Sequence, residues 1–171
     1  VNEMYDLLDE FENYIVAETI LPVVHTLAGL PGTSLSDIRT VYSKTEALMQ
    51  TRRFLDDHSD WQKISVVNTA IAAKKVLQEQ DKTQAAVCSA YAAQVHGLSV
   101  LVDKINDEPD NSTRFIVVTN QKIFLKNASK ISIRFEVPHT SGSLYNILSH
   151  FIYNDLNMSK IESRPVEGKN W

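Results

Sequence analysis

The sequence predicts an α/β protein, with a mostly parallel sheet in a first lobe and a smaller α/β region after it. Three observations carry this reading. Short runs rich in Val, Ile and Ala alternate with helical segments between residues 38 and 105, the rhythm of βαβ units. A polar connector, "QKIFLKNAS", interrupts that rhythm, which then restarts. The 171 residues, 43% of them apolar, are enough for one ordinary core and part of another.

Each element has its own signal. "NEMYDLLDEFEN" sets Met4, Leu7, Leu8 and Phe11 at i, i+3, i+4 and i+7, with Asn2 as an N-cap, so it reads as an amphipathic helix. "YIVAETILPVVHTLAGL" is β-branched and extended, and Pro22 inside it marks an edge or a bend. "GLPGTSLSD" is a loop. Then follow strand "IRTVYS", helix "KTEALMQTRRFLDDH", strand "KISVVN", helix "TAIAAKKVLQEQ", strand "QAAVCS", helix "AYAAQVH" stopped by Gly97, and strand "LSVLVDKI". A ligand belongs beyond the carboxyl ends of such parallel strands. "NDEPDNST" is an acidic turn-rich loop before strand "RFIVVTN". The second region reads as strand "KISIRFEV", loop "PHTSG", helix "SLYNILSHFIYND" and strand "NMSKIESRP". The expected boundary lies near Asn127, giving regions 1–126 and 127–171.

Composition excludes several classes of function. The net charge is −4 and the basic residues are scattered, so no nucleic-acid partner is expected. No apolar run approaches the ~20 residues of a membrane span. Five His and one Cys show no zinc-type spacing, and no metal is expected. Cys88 has no internal disulfide partner; "AAVCSA" reads as a buried strand end, which favours a reducing compartment. A start at Val1 and a stop at Trp171 read as a fragment of a longer chain.

Two motifs in order carry a resemblance. "NSTRF", after "AAVCSAYAAQVHGLSVL", resembles the catalytic end of prephenate dehydratase, with its Thr-Arg-Phe signature. "SGSLYNIL" followed by "KIESRP" resembles the two phenylalanine-binding motifs of the ACT domain fused to that enzyme. "VYSKTEALMQTRRFL", "NTAIAA" and "LPVVHTL" are similar to further segments of the family, so the likeness covers nearly the whole chain. It implies one lobe of a two-lobed, periplasmic-binding-protein-like catalytic domain, then part of a ferredoxin-like βαββαβ ACT domain. The family's glycine-rich and Glu-Asn-Ser segments are expected before Val1, and the segment alone is expected to be inactive.

The family converts prephenate to phenylpyruvate by losing carbon dioxide and the ring hydroxyl together, in phenylalanine biosynthesis. The resemblance implies no cofactor, because aromatisation drives the reaction and the catalyst mainly holds a dianion and helps hydroxide leave as water. It puts Thr113 at the leaving hydroxyl, donating a hydrogen bond or relaying a proton, since a threonine is a poor general acid. Arg114 holds a substrate carboxylate or pairs with an acidic residue to fix the chain. Phe115 packs beside the substrate ring or belongs to a core. Gln50 and Thr69 are candidate neutral donors to substrate; the plainer readings are a solvated helix residue for Gln50 and a helix N-cap for Thr69. Ser89 heads the next helix with the same two readings. Lys44, Thr45, Glu46, Thr51 and Asn68 depart from the family pattern at the rim of the site.

In the second region Leu144, Ile147, Leu148, Phe151 and Ile152 form a helical stripe expected to cover a sheet. Gly142 lets a ligand backbone come close, and "SGS" offers helix-terminal N–H groups to a carboxylate. The family binds phenylalanine between two subunits, which carries over to Gly142, Ser143 and Leu144 on one side and Glu162, Ser163, Arg164 and Pro165 on the other. The resemblance thus implies a homodimer or homotetramer with L-phenylalanine as allosteric effector. The rival functions are a non-catalytic two-lobed binding regulator, and the regulatory region of an aromatic amino acid hydroxylase. The second predicts no βαβ lobe upstream and is disfavoured by the alternation observed.

Overall fold

Residues 2–163 are described by the computed structural model, which divides the chain into two units, Val1–Lys122 and Ile123–Trp171. The first begins with helix α1 (Asn2–Glu10) and strand β1 (Tyr14–Pro22). The sequence reads residues 14–30 as extended with an edge or a bend at Pro22, and β1 does end at Pro22. The chain resumes as β2 (Thr26–Gly29), then a short 3-10 turn (Leu35–Asp37) and β3 (Thr40–Ser43).

The single helix predicted over residues 44–58 is two, α2 (Thr45–Gln50) and α3 (Arg52–Asp56). Thr51 divides them. Its hydroxyl, fully buried, donates back to the Ala47 carbonyl at 2.9 Å, and the residue leaves the helical region at φ −123°, ψ 22°. The rest of the rhythm follows as predicted in order: β4 (Gln62–Ser65), α4 (Thr69–Glu79), β5 (Gln84–Cys88), α5 (Ala90–Val95), β6 (Ser99–Val102) and β7 (Ser112–Thr119).

Five strands form one sheet in the order β4-β3-β5-β2-β6. β3 is parallel to both β4 and β5, whereas β2 is antiparallel to both β5 and β6. Four strands therefore point one way and β2 runs against them. Period-two alternation sorts the core: Leu27, Val41, Ala85 and Val87 face a cluster with Ala47, Leu55 and Trp61 from the α2–α3 side. Ala28, Tyr42, Ala86 and Cys88 face Ala72, Ala73, Val76 and Ala93 from α4 and α5. The alanines on both sides let α4 lie close against the strands.

Cys88 ends β5, fully buried, and burial pushes its thiol up from 9.0 to about 11. Native protein should therefore resist thiol-directed alkylation at mildly alkaline pH, while denaturant exposes one reactive group. The unfolded chain ionises this thiol first, so its contribution to stability falls as pH rises from 9.0 towards about 11. A native protein labelled as fast as its unfolded form would contradict this packing.

β1 and β7 stand apart from the sheet as a two-stranded antiparallel ribbon, with Pro22 opposite Ser112 and Tyr14 opposite Thr119. The backbone N–H of Val23 donates to the Asn111 carbonyl at 2.8 Å, which continues that register one step further.

In the second unit, α6 (Ser143–Tyr153) forms where its apolar stripe predicts. The strands expected at 130–137 and 157–165 are not formed among the described residues. A strand exists only through a paired ladder, and neither segment has a partner strand there. The stripe is accordingly uncovered at its ends, with Leu144 53% and Ile152 62% exposed, while Phe151 packs against Phe135 at 6.5 Å between ring centroids.

Candidate active site

The carboxyl ends of β3, β4, β5 and β6 lie along one edge of the sheet, together with the start of β2. Small polar side chains fix the turns there. The Ser43 hydroxyl donates to the Val87 carbonyl at 2.6 Å, the Thr26 hydroxyl to the Cys88 carbonyl at 3.2 Å, and the Thr45 and Ser65 hydroxyls share a bond of 2.7 Å. The cap of α4 is Asn68, whose side-chain oxygen accepts the Ile71 N–H at 2.8 Å, so Thr69 is the first helical residue and not the cap predicted for it. An asparagine oxygen outcompetes the threonine because it reaches the third N–H from an extended backbone, φ −156°. Ser89 does cap α5, accepting the Ala92 N–H at 3.1 Å. Thr69 and Ser89 thus sit at the same edge, each at the head of a helix.

The departures at the rim are tied into this edge. Lys44 and Glu46 pair at 3.2 Å on the surface. Backbone bonding and then Lys44 hold the Glu46 carboxyl below its usual range.

Two chain segments cross from ribbon to sheet here, residues 23–25 and residues 103–111. Asn106 clips them together: its oxygen accepts the His25 N–H at 2.7 Å and its amide nitrogen donates to the Val23 carbonyl at 2.9 Å. The Ile105 N–H donates to the His25 carbonyl at 3.0 Å. The Asp107 carboxylate accepts the Arg52 and Arg53 N–H groups at 3.1 and 3.0 Å, capping α3 from outside. These side chains replace the ladder bonds that the crossing segments have left.

Gln50, the last residue of α2, meets both segments. Its side-chain oxygen lies 2.9 Å from His25 Nε2 and accepts Asn111 Nδ2–H at 3.1 Å. Asn111 shares a ribbon face with Thr113 and Phe115, by the register that pairs it with Val23. Thr113 lies about 7 Å further along that face, two residues on. Its hydroxyl has no bonding partner among the described residues, and Phe115 beside it is 50% exposed. The structure therefore brings Gln50, Thr113 and Phe115 to one side.

Arg114 points to the other face. Its guanidinium pairs with Glu18 of β1 at 2.5 Å, across the ribbon. Pairing with an acidic residue, one of the two readings open for Arg114, is thus present.

The second unit holds Gly142 at φ +82° as the cap of α6, a left-handed conformation that glycine adopts without strain and other residues resist. The Ser143 hydroxyl bonds that of Thr140 at 2.7 Å, and Leu144 follows on the first turn. Glu162 pairs with Lys160 at 2.7 Å, with Ser163 next to it. Arg164 and Pro165 lie outside the described residues. His25, Asn106 and Asn111 were not among the candidate site residues. His25 lies in "LPVVHTL" and Asn111 opens "NSTRF", two segments that carry the resemblance, but neither residue is given a role there, and Asn106 looks like an ordinary loop residue.

Among the described residues no group of three or more His, Cys, Asp and Glu side chains is placed to hold a metal ion, and no helix is long and apolar enough to cross a membrane. Residues 1–123 match the family described as prephenate dehydratase. The chain is 34% identical, over its whole length and 47% of the relative's, to a bifunctional chorismate mutase/prephenate dehydratase of Pseudomonas aeruginosa. It is 36% identical, over 96% of its length and 42% of the relative's, to an arogenate dehydratase/prephenate dehydratase of Arabidopsis thaliana. The chain spans about half the length of these curated relatives. Among solved structures it resembles prephenate dehydratase of Arthrobacter aurescens in complex with L-Phe, with TM-score 0.74 and 30% identity over 98% of this chain and 57% of that one.

Proposed function

The chain belongs to the prephenate dehydratase family, and on that premise we propose that the full-length protein turns prephenate into phenylpyruvate under control by phenylalanine. The observation that carries the proposal is that Thr113 shares its ribbon face with Asn111, whose amide bonds Gln50 beside the carboxyl edge of the sheet, while the Thr113 hydroxyl has no bonding partner among the described residues. As the ring carboxylate leaves as carbon dioxide, its bonding electrons pass into the ring and expel the hydroxyl opposite. Thr113 donates a hydrogen bond to that departing oxygen, Gln50 with Thr69 and Ser89 hold the anionic substrate through neutral donors and helix N-termini, and Phe115 lies along the ring. Arg114 stiffens the ribbon through Glu18.

Phenylalanine binds, in this reading, between Gly142, Ser143 and Leu144 of one subunit and Glu162, Ser163, Arg164 and Pro165 of another. Residues 127–171 then belong to the regulatory domain, residues 1–126 to the catalytic one, and the protein is a cytoplasmic homo-oligomer. The Arabidopsis relative is named for arogenate as well as prephenate, so the test offers both substrates. Full-length protein is expected to form phenylpyruvate from prephenate and to slow when L-phenylalanine is added. A folded protein that binds L-phenylalanine and turns over neither substrate would leave a binding regulator in place of an enzyme.

A further inference from the structure

We propose that His25 and Asn111 are positioning residues for Gln50, holding its amide so that the NH2 group, and not the carbonyl, is presented to substrate. The inference rests on the substrate-facing role of Gln50 just proposed and extends it to two residues that have been given no role so far.

A primary amide has two ends of similar shape and opposite hydrogen-bonding sense, so a glutamine at the end of a helix can offer an anion either a donor or a repelling oxygen. Here two donors take the oxygen. His25 Nε2 lies 2.9 Å from it and Asn111 Nδ2 3.1 Å from it. The carbonyl carries no proton, so the His25 nitrogen is the donor, which fixes that ring nitrogen as N–H. With both lone pairs engaged, turning the amide over would set NH2 against two N–H groups. The amide nitrogen has no partner among the described residues and is free for a ligand.

The two donors come from different crossing segments. His25 is nearly buried and held by Asn106 and Ile105 through its backbone. Asn111 is held by the Val23 N–H on its carbonyl and sits on the Thr113 face of the ribbon. The direction of the Gln50 NH2 is therefore set from both sides of the crossing, and the same contact that aims it also fixes its distance from Thr113.

The test measures kcat and KM of full-length protein for prephenate, with thermal melting as a control. Asn111→Asp is nearly isosteric but only accepts, so Gln50 turns and spends its NH2 on the new carboxylate. KM is expected to rise about ten- to a hundredfold, the loss of one hydrogen bond to a charged group, with kcat changed far less and melting within a few degrees. His25→Phe should raise KM similarly, and His25→Gln, which restores an N–H near the Nε2 position, should bring it back. In a Gln50→Ala background neither Asn111→Asp nor His25→Phe should add more than about twofold. Effects that multiply with Gln50→Ala, or an unchanged KM in stable Asn111→Asp protein, would overturn the positioning role. Wild-type protein that turns over no prephenate would overturn the functional reading itself and this inference with it.

Discussion

Thr113→Ala in the full-length protein is expected to lower kcat for prephenate by about 10²- to 10⁴-fold, the range for loss of a positioned proton donor or relay. KM should move little, because the hydroxyl acts on an oxygen that carries its charge only as the bond breaks. The side chain is exposed on an outer strand and makes no hydrogen bond among the described residues, so removing it leaves no buried orphan. Thr113→Ser keeps the oxygen and should retain most of the rate, losing about tenfold at most through looser rotamer control. Phenylpyruvate formation followed at saturating prephenate decides it. Wild-type kcat in the alanine variant would remove Thr113 from the chemistry and move the search to the donors at the heads of α4 and α5.

The second large effect is on stability. Leu27→Ala should cost about 2–5 kcal/mol, the range for emptying a buried leucine site. Leu27 lies on β2, the strand that runs against its neighbours, between β5 and β6, and it is fully buried among Val41, Val87, Leu55 and Ile105. Its neighbours belong to strands and helices pinned elsewhere, so the cavity has little room to collapse. Against a total stability of ~5–15 kcal/mol for a domain of ordinary size, that loss should appear as a large fall in the urea midpoint at unchanged slope. A midpoint within the error of wild type would mean that Leu27 is not packed in the core as described.

Local pattern made the sheet lobe legible. Short strands of four or five residues between helices leave few alternatives, and their order along the chain came through intact. The direction of β2 was not readable, because a strand flanked by loops carries no mark of which neighbour it will join. Breaks inside elements were also hidden. Thr51 looks like any helix residue until its hydroxyl is seen to bond the Ala47 carbonyl. Thr113 and Phe115 were found by motif, but Thr113 was read as part of the loop, so the strand period that gives them a common face shows only because β7 begins at Ser112. That period also separates them from Arg114, which the motif alone had grouped with them. The contacts of Gln50 were out of reach for a different reason: its partners lie 25 and 61 residues away, on segments with no regular structure to announce them. In the second unit the helical stripe was readable, but strand formation depends on partners that no single segment specifies.

The ribbon also bears on the order in which the chain folds. Its two strands meet only after a loop of some 90 residues, from Pro22 to Ser112, has been closed. Closing a loop of that length from an unfolded chain costs on the order of 4 kcal/mol in entropy. Once the five-stranded sheet has formed, its own crossing segments hold Val23 and Asn111 within one hydrogen bond of each other, and the remaining closure is that of a short hairpin. The ribbon that carries Thr113 is therefore the late-forming part of this unit, assembled on a finished sheet.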